Sequence, residues 1–320
     1  MVNMNPKVSI IIPVFNTSKY LKKSILSCIN QDFKHIEIII IDDKSTDNSL
    51  EIIESFSDPR IKLIKNNQNL GTFLARKEGI KAASGEYIIF LDSDDYLLEN
   101  SVSLLLDSIN DACMIHFGII HEPFNKNATL PKIHIKELQN ENITKEIIID
   151  SFNKSWLNLA GRMYKTSLVK DYIKKIDFIN KHLISSEDTI LFFIITLLAK
   201  KSVGIKENLY IYCQNDSSIT RIKTKEKLQK QIDDRIYLKE SLKIIENDKT
   251  LHSHKYFKQS LKKIDDMLSY FICFSKKFIC NDDIISPYLK YSIISMKYMP
   301  RWQILVKIMI FLLSFGKKKL

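Results

Sequence analysis

One short segment, Tyr87–Leu97 with the sequence YIIFLDSDDYL, constrains the fold of this chain more than any other. Its first five residues are apolar and predict a strand buried on both faces, as in a parallel sheet. Three carboxylates, Asp92, Asp94 and Asp95, follow at the carboxyl end of that strand, where open α/β sheets bind ligands. If the chain stays extended there, Asp92 and Asp94 point to the same side and Asp95 to the other.

Two carboxylates on one side of a strand repel each other unless a cation lies between them. Mg²⁺ or Mn²⁺, bound by one or two carboxylates together with substrate phosphates, fits Asp92 and Asp94. An isolated Asp-x-Asp sequence is more often a solvated acidic turn, because the pattern is common by chance. The buried strand before it and the segments described next favour the metal site.

The first 100 residues alternate β-branched runs with helical segments. The predicted strands are Val8–Val14, Ile36–Ile41, Ile61–Lys65 and Tyr87–Leu91, and the helices between them are Lys19–Asn30, Asn48–Phe56 and Thr72–Ala83. This order predicts a doubly wound, mostly parallel central sheet flanked by helices. Because Pro13 cannot donate a ladder hydrogen bond, we expect the first strand to end near it.

After residue 100 the α/β pattern continues to about residue 222 and then changes. The predicted elements are helices Asn100–Ile109, Ile143–Asn153, Lys165–Lys175 and Asp188–Lys200, and strands Cys113–Ile120 and Val203–Cys213. From Lys225 onwards, apolar residues at three- and four-residue spacing predict paired amphipathic helices. We expect an α/β domain over residues 1–222, with halves 1–120 and 121–222, and a helical extension over residues 223–320.

Charge is distributed unevenly along the chain. Residues 1–120 carry 12 Lys/Arg and 16 Asp/Glu, a net charge of −4. Because the whole chain has a net charge of +11, the remaining residues carry +15. Such a basic excess is typical of nucleic-acid-binding or membrane-binding regions, and without a nucleic-acid module we expect no nucleic-acid partner. Five scattered cysteines without C-x-x-C indicate a reducing compartment rather than a disulfide framework or a zinc site.

The segment Leu289–Leu320 contains seven Lys/Arg and no acidic residue. Its apolar run Ile308–Phe315 is too short to span a bilayer, but with Trp302 and the lysines it predicts a helix in the interface of an anionic membrane. The alternative is a C-terminal core helix with a solvated lysine end. Because the N-terminus lacks a signal-peptide core, we expect a cytoplasmic protein, peripheral on the cytoplasmic face of the inner membrane.

Four segments resemble, in order and spacing, the family 2 nucleotide-diphosphosugar glycosyltransferases. They are VSIIIPVFNTSKYL, IEIIIIDDKSTDNS, NLGTFLARKEGIKAASGEYIIFLDSDDYL and SSEDTILF. The resemblance is dense over the first 100 residues, thinner to about residue 222 and absent beyond. It implies the GT-A fold and inverting sugar transfer, as in bacterial enzymes that build lipooligosaccharide or capsule.

The resemblance assigns the nucleotide site to several segments. Asp43 is expected to accept the N–H of a uracil ring, with Asp42 beside it; the alternative for both is an acidic charge at a helix N-terminus. The other expected nucleotide-site residues are Pro13, Val14, Asn16 and Ser93. For the first three, the alternative is an ordinary strand-ending turn.

Arg76 resembles a position near the diphosphate, because a guanidinium fork suits phosphate; its alternative is a surface helix arginine. Asp94 is the expected metal ligand, with Asp92 as a second ligand or nearer the ribose. The chain has only 7 glycines and no G-x-x-x-x-G-K, so no P-loop stabilises the leaving diphosphate, whereas a metal does so as a Lewis acid.

Asp188 is the general base by resemblance, with Glu187 as the fallback. The alternative is that Ser185–Asp188 is only a capped helix start. Trp156 is a candidate for stacking on an acceptor sugar, with a core position nearly as well supported. Family members often carry lysine where Arg162 stands, so the sequence assigns it no role.

The sequence therefore predicts transfer of a hexose or N-acetylhexosamine, galactose first, from a UDP-sugar to a hydroxyl of a lipid-linked surface glycan. Two alternatives stay open at this point. One is transfer to a polyprenyl phosphate, an acceptor that needs no strong base. The other is a non-catalytic nucleotide-sugar-binding subunit.

Overall fold

The computed structural model describes residues 7–124, 133–151, 157–215, 224–279 and 309. These fall into two compact units. The first takes its residues from Met1–Leu183, Glu187–Asn215 and His254–Tyr256, and the second from Ile184–Ser186, Asp216–Ser253 and Phe257–Leu320. The boundary predicted at residue 222 and, apart from Met309, the basic tail lie outside the described residues, and both stay predictions.

The first unit is built on one mixed sheet. Its strands are β1 (Val8–Val14), β2 (Ile36–Asp42), β3 (Ile61–Lys65), β4 (Tyr87–Phe90), β5 (Tyr96–Leu97), β6 (Met114–Glu122), β7 (Leu138–Gln139), β8 (Arg162–Lys165) and β9 (Lys201–Cys213). They are ordered β3-β2-β1-β4-β8-β6-β9-β5, and β7 pairs with β9. The strands β1 to β4 run parallel, as predicted.

Strand β8 is the main addition to the predicted topology. Its four residues, RMYK, are too short and too mixed in polarity to be predicted as a strand. It lies between β4 and β6 and runs antiparallel to both. The sheet therefore changes from parallel to mixed immediately beside the strand that precedes the aspartates.

The helices of the first unit flank this sheet, and their bounds follow the predictions to within a few residues. They are α1 (Ser18–Ile29), α2 (Ser49–Glu54), α3 (Thr72–Ala82), α4 (Ser101–Ile109), α5 (Glu141–Thr144), a π-helical segment (Lys145–Asp150), α6 (Thr166–Lys175) and α7 (Glu187–Leu198). The predicted helix Ile143–Asn153 is thus one α-helical turn continued by a π-helical segment.

The core forms where the predicted apolar runs meet. All residues of β1, β2 and β4 are buried, and burial of each large aliphatic side chain contributes about 1.5–3 kcal/mol. On α7, every residue from Thr189 to Leu197 is buried, which accounts for its nearly continuous apolar sequence. Strand β1 ends at Val14, directly after Pro13, as expected.

The second unit contains two long helices, α8 (Lys225–Glu246) and α9 (Phe257–Ile279), which pack against each other. On α8, Asp234 accepts a hydrogen bond from the Ile184 N–H (2.8 Å), and Arg235 donates to Ser185 and Ser186. In the described part of the chain, no helix combines the length and apolar character that a membrane span needs.

Candidate active site

The three aspartates after β4 lie in a turn rather than in an extended strand. The strand ends at Phe90, and the Asp95 N–H donates to the Asp92 carbonyl oxygen (3.0 Å). The strand alternation expected for Asp92 and Asp94 therefore does not apply, because the chain has already turned. What surrounds each carboxylate is set by this turn and by the residues that pack onto it.

The Asp95 carboxylate accepts hydrogen bonds from two uncharged donors of β9. The Tyr210 O–H donates to one carboxylate oxygen (2.6 Å) and the Cys213 N–H to the other (2.8 Å). The Tyr210 hydroxyl also accepts from the Asp92 N–H (3.2 Å). Burial, together with the charges of Asp92 and Asp94, raises the pKa of Asp95 well above its ordinary value. The buried Asp95 carboxyl group thus connects the turn after β4 to strand β9.

Asp94 has a different environment. The Asn215 side-chain amide donates to it (2.9 Å), and within the described residues no lysine or arginine forms an ion pair with it. Burial raises the pKa of the Asp94 carboxyl, and repulsion by Asp92 raises it further. A carboxylate that is destabilised in this way gains most from an added cation.

Arg76 of α3 joins two separate parts of the site. Its side chain is buried; Nη2 donates to Asp92 (2.7 Å), and Nη1 donates to Asp188 and lies 3.7 Å from a Glu187 oxygen. Burial opposes its charge, but the carboxylates of Asp188, Asp92 and Glu187 more than offset this and raise the pKa of the guanidinium. Its Nε has no hydrogen-bond partner among the described residues.

Glu187 and Asp188 form the first turn of α7. Burial and the negative charge of Asp188 raise the pKa of Glu187. Burial also raises the pKa of Asp188, although the charge of Arg76 opposes the shift. The pair is therefore held in an environment in which an additional proton is accepted readily.

Asp43 holds a loop in this structure. Its buried carboxylate accepts from the Asn66 side chain (2.7 Å) and from the backbone N–H groups of Leu70 (2.9 Å) and Gly71 (2.7 Å). Gly71 has φ +84°, and a Cβ there would lie 2.3 Å from His182 Cδ2, so only glycine fits. The uracil contact expected for Asp43 stays a prediction.

The remaining predicted nucleotide-site residues connect the ends of β1, β2 and β4. Asn16, with φ +53°, accepts from the Thr46 N–H (2.7 Å), and the Ser93 hydroxyl accepts from Thr17 (3.0 Å). Asp42 accepts from the Ser45 N–H (3.2 Å). Pro13 and Val14 are the buried last residues of β1, not part of the loop that follows it.

Two side chains of this site were not predicted from the sequence: Tyr210 and Asn215. The segment YCQNDSSIT, which contains Asn215 and lies two residues after Tyr210, resembles a stretch of related enzymes, and it was the only signal available. Trp156 lies outside the described residues, so its acceptor role stays a prediction.

The donor set fits a hard divalent cation. Asp94 is an insufficiently neutralised carboxylate, and Asp92 keeps a side chain that is 40% exposed beside it. Among the described residues, no three His, Cys, Asp or Glu side chains stand together as ligands. Mg²⁺ and Mn²⁺ are commonly bound by one or two carboxylates with substrate phosphates and water, which matches what this pair offers.

Residues 9–172 match the family model of glycosyl transferase family 2. The chain belongs to this family. Over 228 residues it is 32% identical to glycosyltransferase GlyG of Streptococcus pneumoniae, covering 68% of this chain and 74% of GlyG. Over 281 residues it is 29% identical to the GalNAc(5)-diNAcBac-PP-undecaprenol beta-1,3-glucosyltransferase of Campylobacter jejuni, covering 85% of each. The protein is therefore a glycosyltransferase, as the sequence predicted.

Solved structures show the same fold. S. aureus TarS in complex with UDP-GlcNAc superposes with a TM-score of 0.62 at 18% identity, covering 91% of this chain and 80% of that one. The mannosyltransferase PcManGT from Pyrobaculum calidifontis, in complex with GDP-Man and Mn²⁺, superposes with a TM-score of 0.50 at 11% identity, covering 98% and 86%. This glycosyltransferase thus has the GT-A fold expected from its sequence.

Proposed function

We propose that this family 2 glycosyltransferase transfers a hexose, with inversion, from a UDP-sugar to a hydroxyl group of a lipid-linked glycan. One observation carries the proposal: a single guanidinium, that of Arg76, bonds both Asp92 and Asp188. The carboxylates suited to a cation and the carboxylate suited to a general base therefore belong to one site, although 96 positions separate them in the sequence.

In the proposed reaction, Asp188 accepts the proton of the acceptor hydroxyl as that oxygen forms a bond to the anomeric carbon. The bond from the anomeric carbon to the diphosphate oxygen breaks on the opposite face, and UDP leaves with the electron pair. A general base must reach the proton it removes, and contributes about 10²–10⁴-fold to the rate. Arg76 keeps the Asp188 carboxylate in place and balances its charge before the proton arrives.

Asp94 and Asp92 would hold Mn²⁺ or Mg²⁺. When bound, this ion stabilises as a Lewis acid the negative charge on the departing diphosphate. Asp43, Asp42, Asn16 and the other residues at the ends of β1 and β2 would form the nucleotide side of the site. Their hydrogen bonds to one another support a preformed surface, which lowers the cost of ordering it on binding.

For the donor, the name of the Campylobacter relative supports glucose, and the UDP-GlcNAc bound to TarS supports a uridine nucleotide. Galactose, the first expectation from the sequence, is the next donor to test. The same relative's undecaprenol-linked substrate supports a lipid diphosphate-linked glycan as acceptor. A location at an anionic membrane surface would follow from that acceptor and from the basic tail.

The test is a donor screen on the purified chain with Mn²⁺. UDP-glucose, UDP-galactose, UDP-GlcNAc, UDP-GalNAc and GDP-mannose are each incubated with and without a diphosphate-linked GlcNAc lipid, and free nucleotide is measured. We expect release from one UDP-sugar, stimulated by the acceptor and abolished by EDTA. Release from no donor, combined with tight UDP binding, would indicate a non-catalytic binding subunit instead.

A second arm distinguishes the two acceptor classes. Polyprenyl phosphate carries its own anion, so transfer to it needs no strong base. If Asp188→Ala retains full transfer to polyprenyl phosphate while the glycan lipid is not used, the hydroxyl acceptor proposed here is wrong.

A further inference from the structure

Thr17, to which the proposed chemistry gives no task, bonds the residue that stands between the two proposed metal ligands. Its hydroxyl donates to the Ser93 hydroxyl (3.0 Å). Ser93 is only 5% exposed and lies between Asp92 and Asp94 in the turn after β4. Among the described residues, the Ser93 side chain makes no other hydrogen bond. The position of the Ser93 hydroxyl therefore depends on Thr17.

Thr17 also occupies the N-cap position of α1, where a threonine hydroxyl usually accepts a hydrogen bond from an N–H group of its own helix. In α1, all of which is described, the Thr17 hydroxyl makes no such bond. Two side chains at the start of α2 cap the helix instead. Ser49 accepts from the Thr17 N–H (3.1 Å), and Asp47 accepts from the Ser18 N–H (3.0 Å). The Thr17 hydroxyl is thereby left to bond Ser93.

The loop that supplies these caps is held by hydrogen bonds of its own. The second carboxylate oxygen of Asp47 accepts from the Ser49 N–H (3.0 Å), and the Asn16 side chain accepts from the N–H groups of Thr46 (2.7 Å) and Asp47 (3.3 Å). Burial opposes the charge of Asp47, but the hydrogen bonds that it accepts outweigh burial and lower its pKa, so this cap stays ionised at neutral pH. Thr17 is thus fixed to the loops that would form the nucleotide side of the site.

The three aspartates of the turn after β4 are bonded to other elements. Their partners are one side chain of α3 and groups in or just after β9: Arg76, Tyr210, Cys213 and Asn215. Within the part of the chain that the structure describes, the bond from Thr17 to Ser93 is the only hydrogen bond that joins this turn to the loops after β1 and β2. Without that bond, the turn would be held by α3 and β9 alone.

We propose that Thr17 is a positioning residue that couples the nucleotide loops to the turn after β4, by holding Ser93 and with it the spacing of Asp92 and Asp94. The proposal rests on the function proposed above. A turn that is already ordered binds a cation and a diphosphate at a lower entropic cost than one that is ordered on binding. Thr17→Val keeps the β-branched shape and removes the donor, so it isolates the contribution of the hydroxyl.

The first measurement uses the chain without metal or nucleotide. The Asp95 N–H donates to the Asp92 carbonyl oxygen (3.0 Å) within the turn, so its hydrogen exchange reports how firmly the turn is held. Exchange is compared between the wild type, Thr17→Val and the control Thr46→Val. Thr46 is a matched control because its hydroxyl bonds Asn16 (3.3 Å) in the same loops and does not bond the turn. We expect exchange at Asp95 to be about three- to tenfold faster in Thr17→Val, as for loss of one hydrogen bond, and unchanged in Thr46→Val.

The second measurement is the Kd for UDP, determined by calorimetry with Mn²⁺ and with EDTA. We expect Thr17→Val to weaken UDP binding about three- to tenfold with Mn²⁺ and by less than about twofold with EDTA, because only metal-dependent binding requires the turn. Thr46→Val should change the two Kd values by the same factor. A purely structural contribution of Thr17 to α1 would reduce the folded fraction, which thermal unfolding of the same samples measures, and would leave the ratio of the two Kd values unchanged.

A double-mutant cycle tests the bond itself. Ser93→Ala removes the acceptor, so adding Thr17→Val to it should change neither Asp95 exchange nor the ratio of Kd values further. Additive effects would overturn the proposal, as would wild-type exchange at Asp95 in Thr17→Val.

A second variant covers the case in which Thr17→Val does not fold. Ser93→Ala alone removes the same bond, and both measurements are expected to change by the same factors; wild-type values would overturn the proposal. If the wild-type chain neither binds UDP nor turns over a nucleotide sugar, the proposed function fails, and the exchange experiment still decides whether Thr17 holds the turn.

Discussion

The turn after β4 and the first turn of α7 both place carboxylates side by side, but their neighbours differ in kind. At the turn after β4, the hydrogen-bond donors to Asp94 and Asp95 are uncharged: an amide, a hydroxyl and a backbone N–H. At the start of α7, Glu187 and Asp188 surround the buried guanidinium of Arg76. Under the proposed function, the same residue types would therefore hold a cation in one place and accept a proton in the other.

Arg76 forms a hydrogen bond with one carboxylate in each of these two turns. Arg76 gives one nitrogen to Asp92 and the other to Asp188, so it limits repulsion between the two groups without neutralising Asp94. A buried charge that is left unpaired is costly, so under the proposed function the Asp94 carboxylate would be stabilised by a bound cation. Four experiments test whether the two groups of carboxylates differ in this way.

The largest effect is expected for Asp94→Ala. Loss of a metal ligand removes several kcal/mol of stabilisation of the departing diphosphate, so turnover should fall by about 10³-fold or more. Calorimetry should show that Mn²⁺ no longer strengthens UDP binding. Asp95→Asn is the matched control, because Asp95 is already engaged by Tyr210 and Cys213, and it should keep its Mn²⁺-dependent UDP affinity. Equal losses of Mn²⁺-dependent UDP affinity in the two variants would show that Asp94 is not the specific metal ligand.

Asp188→Asn should reduce kcat by about 10²–10³-fold, since a general base contributes on that order. The amide oxygen can still accept from Arg76, which keeps its bond to Asp92, so the Kd for UDP with Mn²⁺ should remain within about threefold. Glu187→Gln is the control at the neighbouring position and should retain most of the activity. If Glu187→Gln loses more activity than Asp188→Asn, the base is Glu187, the fallback considered from the sequence.

Arg76→Met should lower the free energy of unfolding by about 3–5 kcal/mol, the usual consequence of removing one partner of a buried ion pair. Burial already raises the pKa values of Glu187 and Asp188, and without the opposing charge of Arg76 these pKa values rise further above their unfolded values of about 4. The folded variant binds more protons than the unfolded chain, so its stability falls as pH rises above about 4. Urea unfolding should therefore show a larger deficit at pH 8 than at pH 5.

The control for this experiment is Lys77→Met, which removes the adjacent buried cation of α3 and leaves only Asp177, an exposed partner (2.6 Å). Its deficit should be small and independent of pH between 5 and 8, because Asp177 stays ionised throughout that range. A pH-independent deficit for Arg76→Met as well would mean that Arg76 acts through packing and not through the charges of Asp92 and Asp188.

The smallest effect is expected for Tyr210→Phe, which removes the hydroxyl shared by the Asp95 carboxylate and the Asp92 N–H. A buried group left without its partner costs about 1–3 kcal/mol of folding stability. Tyr172→Phe is the matched control, because the buried Tyr172 hydroxyl has no hydrogen-bond partner among the described residues, and its loss should cost almost nothing. Equal thermal stability of the two variants would show that neutral donors do not organise the turn after β4.

The parts of the fold that follow from local sequence were predicted well. Apolar β-branched runs and the helices between them predicted strands β1 to β4 and their parallel order, because the runs of β1, β2 and β4 are apolar enough to be buried on both faces. Strand β8 was missed, because its place between β4 and β6 depends on pairing partners about 75 and 50 residues away, respectively. No local pattern reports such pairing.

The candidate site divides in the same way. The positions of Asp43, Asp92 and Asp94 at strand ends, and of Asp188 at a helix start, could be inferred from the strands and helices that precede or follow them. The partners of these carboxylates could not. The sequence alone suggested that Arg76 lies near a diphosphate, whereas the structure has it bonded to Asp92 and Asp188.

The kind of sheet, the family and the candidate carboxylates could all be predicted from the sequence, since they depend on residues close together along the chain. The partners of each carboxylate depend on the tertiary structure: uncharged donors bond Asp94 and Asp95, whereas the guanidinium of Arg76 is shared by Asp92 and Asp188. The reason is physical, because the charge state of a buried group is set by neighbours in space, and those neighbours come from distant parts of the chain.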